Sequence, residues 1–135
     1  MESKILKLSA ILIALVFIGS GFAFAASEKA PEIEWNKTFG GSDWDWGNSV
    51  QQTKDGGYII VGETYSYGAG ESDVWLTKTD SKGNKIWDKT FGGSDDDAGN
   101  SVQQTKDNGY IIAGYTESYG AGHNDVLLIK VKPEE

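Results

Sequence analysis

The feature that most constrains this chain is a tandem duplication with an offset of 52 residues. Trp35–Asp43 returns as Trp87–Asp95, Asn48–Asp55 as Asn100–Asp107, and Ser66–Gly70 as Ser118–Gly122. Between Trp35–Lys78 and Trp87–Lys130, 33 of 44 positions are identical without a gap. A period near 50 is the range of blade-like repeats and related arrays. The repeat is placed at about 35–86 for its first copy and 87–135 for its second.

The strands of one unit can be read directly. Ser49–Thr53 is a short strand centred on Val50. Lys54–Gly57 is a turn in which glycine can take positive φ. Tyr58–Thr64 is rich in β-formers and apolar on both faces, as a central strand covered on both sides would be. A glycine-rich loop over Ser66–Ser72 leads to Asp73–Thr79, a second tight turn over Asp80–Asn84, and a last strand over Lys85–Phe91. Four strands with short connections form a β-meander, and no helical period appears after the leader. The fold expected is all-β, with two four-stranded antiparallel sheets.

The combination W-x-K-T-F-G-G-S-x-x-D, D-G-G-Y-I-I-x-G-x-T, G-A-G-x-x-D-V-x-L-x-K and G-N-x-x-W resembles secreted β-propeller repeat proteins of archaeal and bacterial cell surfaces. The turn and strand ending in Trp87 also resemble quinoprotein-like blades, where a tryptophan docks between blades. The resemblance covers about residues 31–132. It implies propeller-type blades, in a family whose members usually carry several more units than two. Kelch repeats place Gly-Gly after the hydrophobic run. Here Gly56-Gly57 precede it, so kelch fits poorly.

The strand order begins with a fourth-strand segment, Trp35–Phe39, and ends with a unit lacking one. Rings of this kind hold about 4–8 blades, so two form an incomplete propeller. Three outcomes are open. Several protomers complete a ring by each giving its Trp35 strand to a neighbour. Alternatively the chain is a remnant of a longer propeller, or the two sheets form an open sandwich. Unassisted, the last strand is an unpaired edge.

Residues 1–25 read as a secretory signal: Lys4 and Lys7, an apolar run over Ala10–Ile18, and the small-residue site Ala23-Phe24-Ala25. An uncleaved membrane anchor is the other reading, and it would be the only route to a membrane. With this segment removed, 10 lysines face 19 acidic residues, a net charge of −9 over 110 residues. Such a surface repels anionic partners and lacks the basic face that nucleic-acid binding needs. The absence of cysteine excludes disulfides, Cys-type zinc sites and a thiol nucleophile. The expected location is secreted, extracellular or cell-surface.

The candidate functional residues include positions that differ between the units and positions that recur. Trp44 and Trp46 are replaced by Asp96 and Ala98, so the repeat does not need them for folding. Trp-x-Trp in a loop suits a sugar-stacking platform or a subunit contact, or covers a sheet edge. Tyr67 and Tyr119 flank the glycine loops and extend the candidate aromatic surface, as does Tyr65. Asp43, Asp45, Asp95 and Asp97 form recurring carboxylate pairs that suit calcium. Solvated Asx turns explain them as well. Asp73 and Asp125 are expected to bond nearby backbone amides. His123 stands alone. No G-x-S-x-G elbow, H-E-x-x-H pair or phosphate loop is present, so a non-enzymatic binding or adhesion role is expected, with carbohydrate or a surface protein as ligand and no cofactor other than calcium. A structural fragment without a ligand is the alternative. Quinoprotein-like enzyme chemistry is a minor one.

Overall fold

The tight turns and alternating β-formers of each unit produce a meander. The computed structural model describes residues 29–135, so the leader at 1–25 lies outside the described residues. Seven strands run in order: β1 (Asp45–Gln52), β2 (Tyr58–Thr64), β3 (Asp73–Thr79), β4 (Lys85–Phe91), β5 (Asp97–Gln104), β6 (Tyr110–Thr116) and β7 (Asp125–Val131). No helix occurs among the described residues. Strands β1-β2-β3-β4 form one antiparallel sheet and β5-β6-β7 a second, and the two do not close on each other.

The registers repeat with the sequence. Asp45 faces Thr64 and Val50 faces Ile60 in the first sheet; Asp97 faces Thr116 and Val102 faces Ile112 in the second. The first strand of each sheet, β1 and β5, carries an irregularity at the same place, between Gly47 and Ser49 and between Gly99 and Ser101. The extra residue is Asn48 or Asn100. At this bulge the backbone presses on the neighbouring strand: a Cβ on Gly62 would lie 1.7 Å from the Trp46 carbonyl oxygen. Glycine at 62 and 114 is therefore a requirement of the bulge. In the turn before β6, Asn108 adopts φ 65° where Gly56 has φ 85°. Asparagine is one of the few residues that accept this left-handed backbone.

Three expectations are corrected. The first strand begins at Asp45, four residues before the expected Ser49, because the bulge breaks the alternation that marks a strand. Trp46, Asp45 and Asp97 thus lie in strands, not in a loop. The second sheet has three strands, as the strand order gives for the last unit, so the expectation of two four-stranded sheets holds for the first alone. The segment Trp35–Phe39, expected as a fourth strand, is not a strand in the described structure.

That segment instead lies against the first sheet. Trp35 packs edge-on against Tyr58, with ring centroids 5.8 Å apart at 62°. Trp87 packs on Tyr110 in the same way, at 6.0 Å and 63°. So Trp35–Phe39 stands to the first sheet as β4 stands to the second. The core forms where the sheets face each other. Ile59, Val61, Val74 and Leu76 come from one side; Val102, Tyr110 and Ile112 come from the other.

Candidate functional site

The bulge re-aims the start of β1 and brings three aromatic rings together at its end. Trp44 and Trp46 lie 5.8 Å apart at 63°. Tyr65, which follows β2, stands 6.4 Å from Trp44 at 77° and 5.9 Å from Trp46 at 78°. The Tyr65 backbone N–H donates to the Trp44 carbonyl at 2.9 Å, which ties the two segments together. These rings are edge-to-face, an arrangement aromatic quadrupoles favour. They are nonetheless open to solvent: Trp44 is 70% exposed, Trp46 45% and Tyr65 38%. In the second unit the same three positions are Asp96, Ala98 and Glu117. The cluster therefore belongs to the first unit alone.

Polar groups border the rings. The Tyr65 hydroxyl donates to Asp96 at 3.0 Å, and Asp96 also accepts from the Ser72 amide and hydroxyl at 3.1 and 2.7 Å. The Ser72 bonds hold the Asp96 carboxyl below its usual range. Glu63 lies opposite Trp46 in the register. Burial, and then the Asp96 charge, push its carboxyl up. The site combines an apolar corner of three rings with two carboxylates of different basicity.

The other candidate residues hold the loops. The Tyr67 hydroxyl donates to the Gly40 carbonyl at 2.9 Å, and the ring lies 5.5 Å from Trp75. The Tyr119 hydroxyl donates to the Gly92 carbonyl at 2.6 Å. Neither tyrosine joins the aromatic cluster. Both latch the glycine loop to the segment before the first strand of its sheet. Replacing Tyr119 by Phe should lower stability by about 1 kcal/mol in chemical denaturation, the usual worth of one hydrogen bond, and leave any ligand affinity unchanged.

Asp45 and Asp97 are likewise engaged. Asp45 accepts from the Gly41 amide at 2.9 Å, from Ser66 Oγ at 2.8 Å and from the Thr64 hydroxyl. Asp97 accepts from the Gly93 amide at 2.8 Å and Ser118 Oγ at 2.6 Å. Asp43 accepts from the Trp44 amide at 2.8 Å, and Asp95 accepts from Ser94 Oγ at 3.0 Å. Among the described residues, no group of three or more acidic or histidine side chains is placed to hold a metal ion. Asp73 and Asp125 bond the Ala69 and Ala121 amides, at 2.5 and 2.8 Å.

One pairing had no signal in the sequence. Asp73 of β3 and Asp97 of β5 are both buried, and Gly92 lies against both: a Cβ there would be 1.8 Å from Asp73 Oδ1 and 2.7 Å from Asp97 Oδ2. Burial, and then the Asp97 charge, push the Asp73 carboxyl up. Among the described residues, Asp97 Oδ1 has no hydrogen-bond partner. Tyr65 was legible only as an accessory. The stronger clue was its replacement by Glu117, which matches the loss of both tryptophans.

No known family model matches this sequence, and no curated protein matches it at a significant level.

Proposed function

We propose that this chain is an extracellular, propeller-type binding module without enzymatic activity, and that its ligand is a neutral carbohydrate. The observation that carries this reading is the exposed ring cluster of Trp44, Trp46 and Tyr65, absent from the otherwise near-identical second unit. Rings that folding does not require, held open to water, suit the apolar C–H faces of a sugar. Glu63 and Asp96 beside them can accept hydrogen bonds from hydroxyls. The acidic surface disfavours a polyanionic glycan.

Glycan-array binding, followed by quenching of tryptophan fluorescence, tests this. Trp44→Ala and Trp46→Ala should each weaken binding by about 2 kcal/mol, near 30-fold, as anchor residues do. Trp44→Ala should change stability by no more than about 0.5 kcal/mol, because the side chain is mostly exposed. Absence of any glycan response, or a response that both variants retain, overturns the reading.

A further inference from the structure

The duplication allows each residue on one sheet to be compared with its twin on the other. Each sheet has a leading face, which in the first sheet carries Ile59, Val61, Val74, Leu76 and Lys78. Each has a trailing face, which in the second sheet carries Gly99, Val102, Tyr110 and Ile112. Within the chain, the leading face of the first sheet meets the trailing face of the second. All nine residues are buried there. A Cβ on Gly99 would lie 2.4 Å from Val61 Cγ2 and 3.0 Å from Val74 Cγ1, so the two faces are in close contact.

The twin faces are open to solvent at several of the same positions. On the leading face of the second sheet, Val126 is 89% exposed and Leu128 68% exposed. Their twins Val74 and Leu76 are both at 0%. On the trailing face of the first sheet, Gly47 and Val50 are exposed, and with Tyr58 and Ile60 they line a cavity of about 580 Å³ under Trp35 and Phe39. Gly47 has the twin position of Gly99, yet its nearest neighbour for a Cβ is Ile60 Cγ2 of its own sheet at 3.5 Å. The trailing faces agree at these four positions and differ on the third strand, where Leu127, Ile129 and Val131 stand in place of Trp75, Thr77 and Thr79. At the five leading-face positions the one difference is Val61 to Ala113; beside them Glu63 becomes Tyr115.

The polar seam is also half used. Asn48 Nδ2 donates across the sheets to the Gly99 carbonyl at 3.0 Å. The Lys54 amide donates to Gln104 Oε1 at 2.9 Å, and the Gln104 amide to Gln51 Oε1 at 2.5 Å. Their twins Asn100, Gln103 and Lys106 are exposed on the second sheet.

We propose that the leading face of the second sheet docks on the trailing face of the first sheet of a second copy, repeating the contact made inside one chain. The occupant follows from complementarity: at the nine positions compared, the open faces differ in one residue from the two faces already buried against each other. The same geometry pairs β7 with Trp35–Phe39 of the second copy. In the β3–β4 register Val74 faces Phe91 and Lys78 faces Trp87. The twin register sets Val126 opposite Phe39 of the second copy and Lys130 opposite its Trp35. The free edge of β7 would then be covered by β-strand addition. The contact is head-to-tail, so it closes into a ring or continues as a filament. This inference does not depend on the carbohydrate reading.

Sedimentation velocity of the purified full chain from ~1 to ~100 µM tests it. The wild type should associate. Gly47→Val fits the free chain but blocks its trailing face; Leu128→Asp disables its leading face. Each variant alone should be monomeric, with association weakened at least ~10-fold, a loss of about 1.4 kcal/mol. An equimolar mixture should form a dimer and stop there, because one intact face of each kind remains. Unchanged circular dichroism and melting show that the variants fold, and Val126→Asp replaces Leu128→Asp if that variant does not. A wild type that stays monomeric at ~100 µM overturns the proposal. So does a mixture that fails to pair, or an assembly that survives either variant. In those cases the faces are covered by another partner or by further repeats.

Discussion

Gly99→Val should destabilise the protein by about 3 kcal/mol or more, while Gly47→Val changes stability by no more than about 0.5 kcal/mol. The two glycines occupy the same position in near-identical sequences, followed in both units by Asn-Ser-Val-Gln-Gln. Local propensity therefore predicts equal effects. Packing predicts unequal ones. At Gly99 the first added carbon already lies 2.4 Å from Val61 Cγ2, and the two methyl groups of valine have no space to enter. The face opposite is β-sheet on a rigid register, so relief requires the sheets to separate. At Gly47 the first added carbon meets only Ile60 Cγ2, at an ordinary 3.5 Å, and its φ lies outside the left-handed region, so the backbone accepts a side chain. A loss of 3 kcal/mol corresponds to a fall in melting temperature of roughly 12–24 °C for a domain of this size. Thermal melts at ~1 µM, where self-association is weak, measure it. Equal shifts for the two variants would mean that the sheets are not packed face to face.

Much of this fold was legible because the turns are explicit. Strands β2, β3 and β4 run over the same residues that the spacing of β-formers and turn residues marks out. What was not legible has physical causes. The bulge at Asn48 interrupts the two-residue period, so Asp45–Asn48 read as loop, and Trp46 was placed in it. Trp35–Phe39 matches Trp87–Phe91 of β4 at four of five residues but has no neighbouring strand to bond among the described residues. Strand identity is a property of pairing as well as of sequence. The aromatic site was half legible. Trp44 and Trp46 stand out because the repeat omits them, whereas the approach of Tyr65 depends on the hydrogen bond between segments. The burial of Asp73 beside Asp97 requires two sheets to meet and has no local signature. Lys78 is another case: a lysine in a strand reads as solvent-facing, yet its side chain is 1% exposed.

That lysine leads to the second large effect. Asp55→Asn should cost about 2 kcal/mol, and Asp107→Asn clearly less in the monomer. Lys78 Nζ bonds Asp55 Oδ2 at 2.8 Å and the Thr79 carbonyl at 3.0 Å. Replacing the carboxylate by an amide leaves an ammonium enclosed between sheets with only neutral acceptors. A charge stranded by loss of its partner costs roughly 3–5 kcal/mol when both partners are buried. Asp55 is itself solvent-exposed, which screens the pair and sets the lower figure. The twin pair, Lys130 and Asp107, also meets at 3.0 Å, but Lys130 is 44% exposed and water replaces its partner. Geometry is shared and burial is not, so the difference between the variants isolates burial. The pH dependence follows from the same bond. The Lys78 ammonium, then the Thr53 hydroxyl and the Gly57 amide, hold the Asp55 carboxyl well below its usual 3.8. A lowered carboxyl stabilises the fold above its unfolded value and loses that contribution as pH falls. Wild-type stability should therefore drop below about pH 4, and the Asp55 part of that drop should vanish in Asp55→Asn. Glu63 acts in the opposite sense. Its carboxyl is raised above 4.5 by burial and then by Asp96, so its contribution is present below that value and is lost as pH rises. Glu63→Gln should thus leave acid stability unchanged and raise stability at neutral pH. Urea denaturation of the variants from pH 3 to pH 7 separates the two carboxyls, because their slopes have opposite sign.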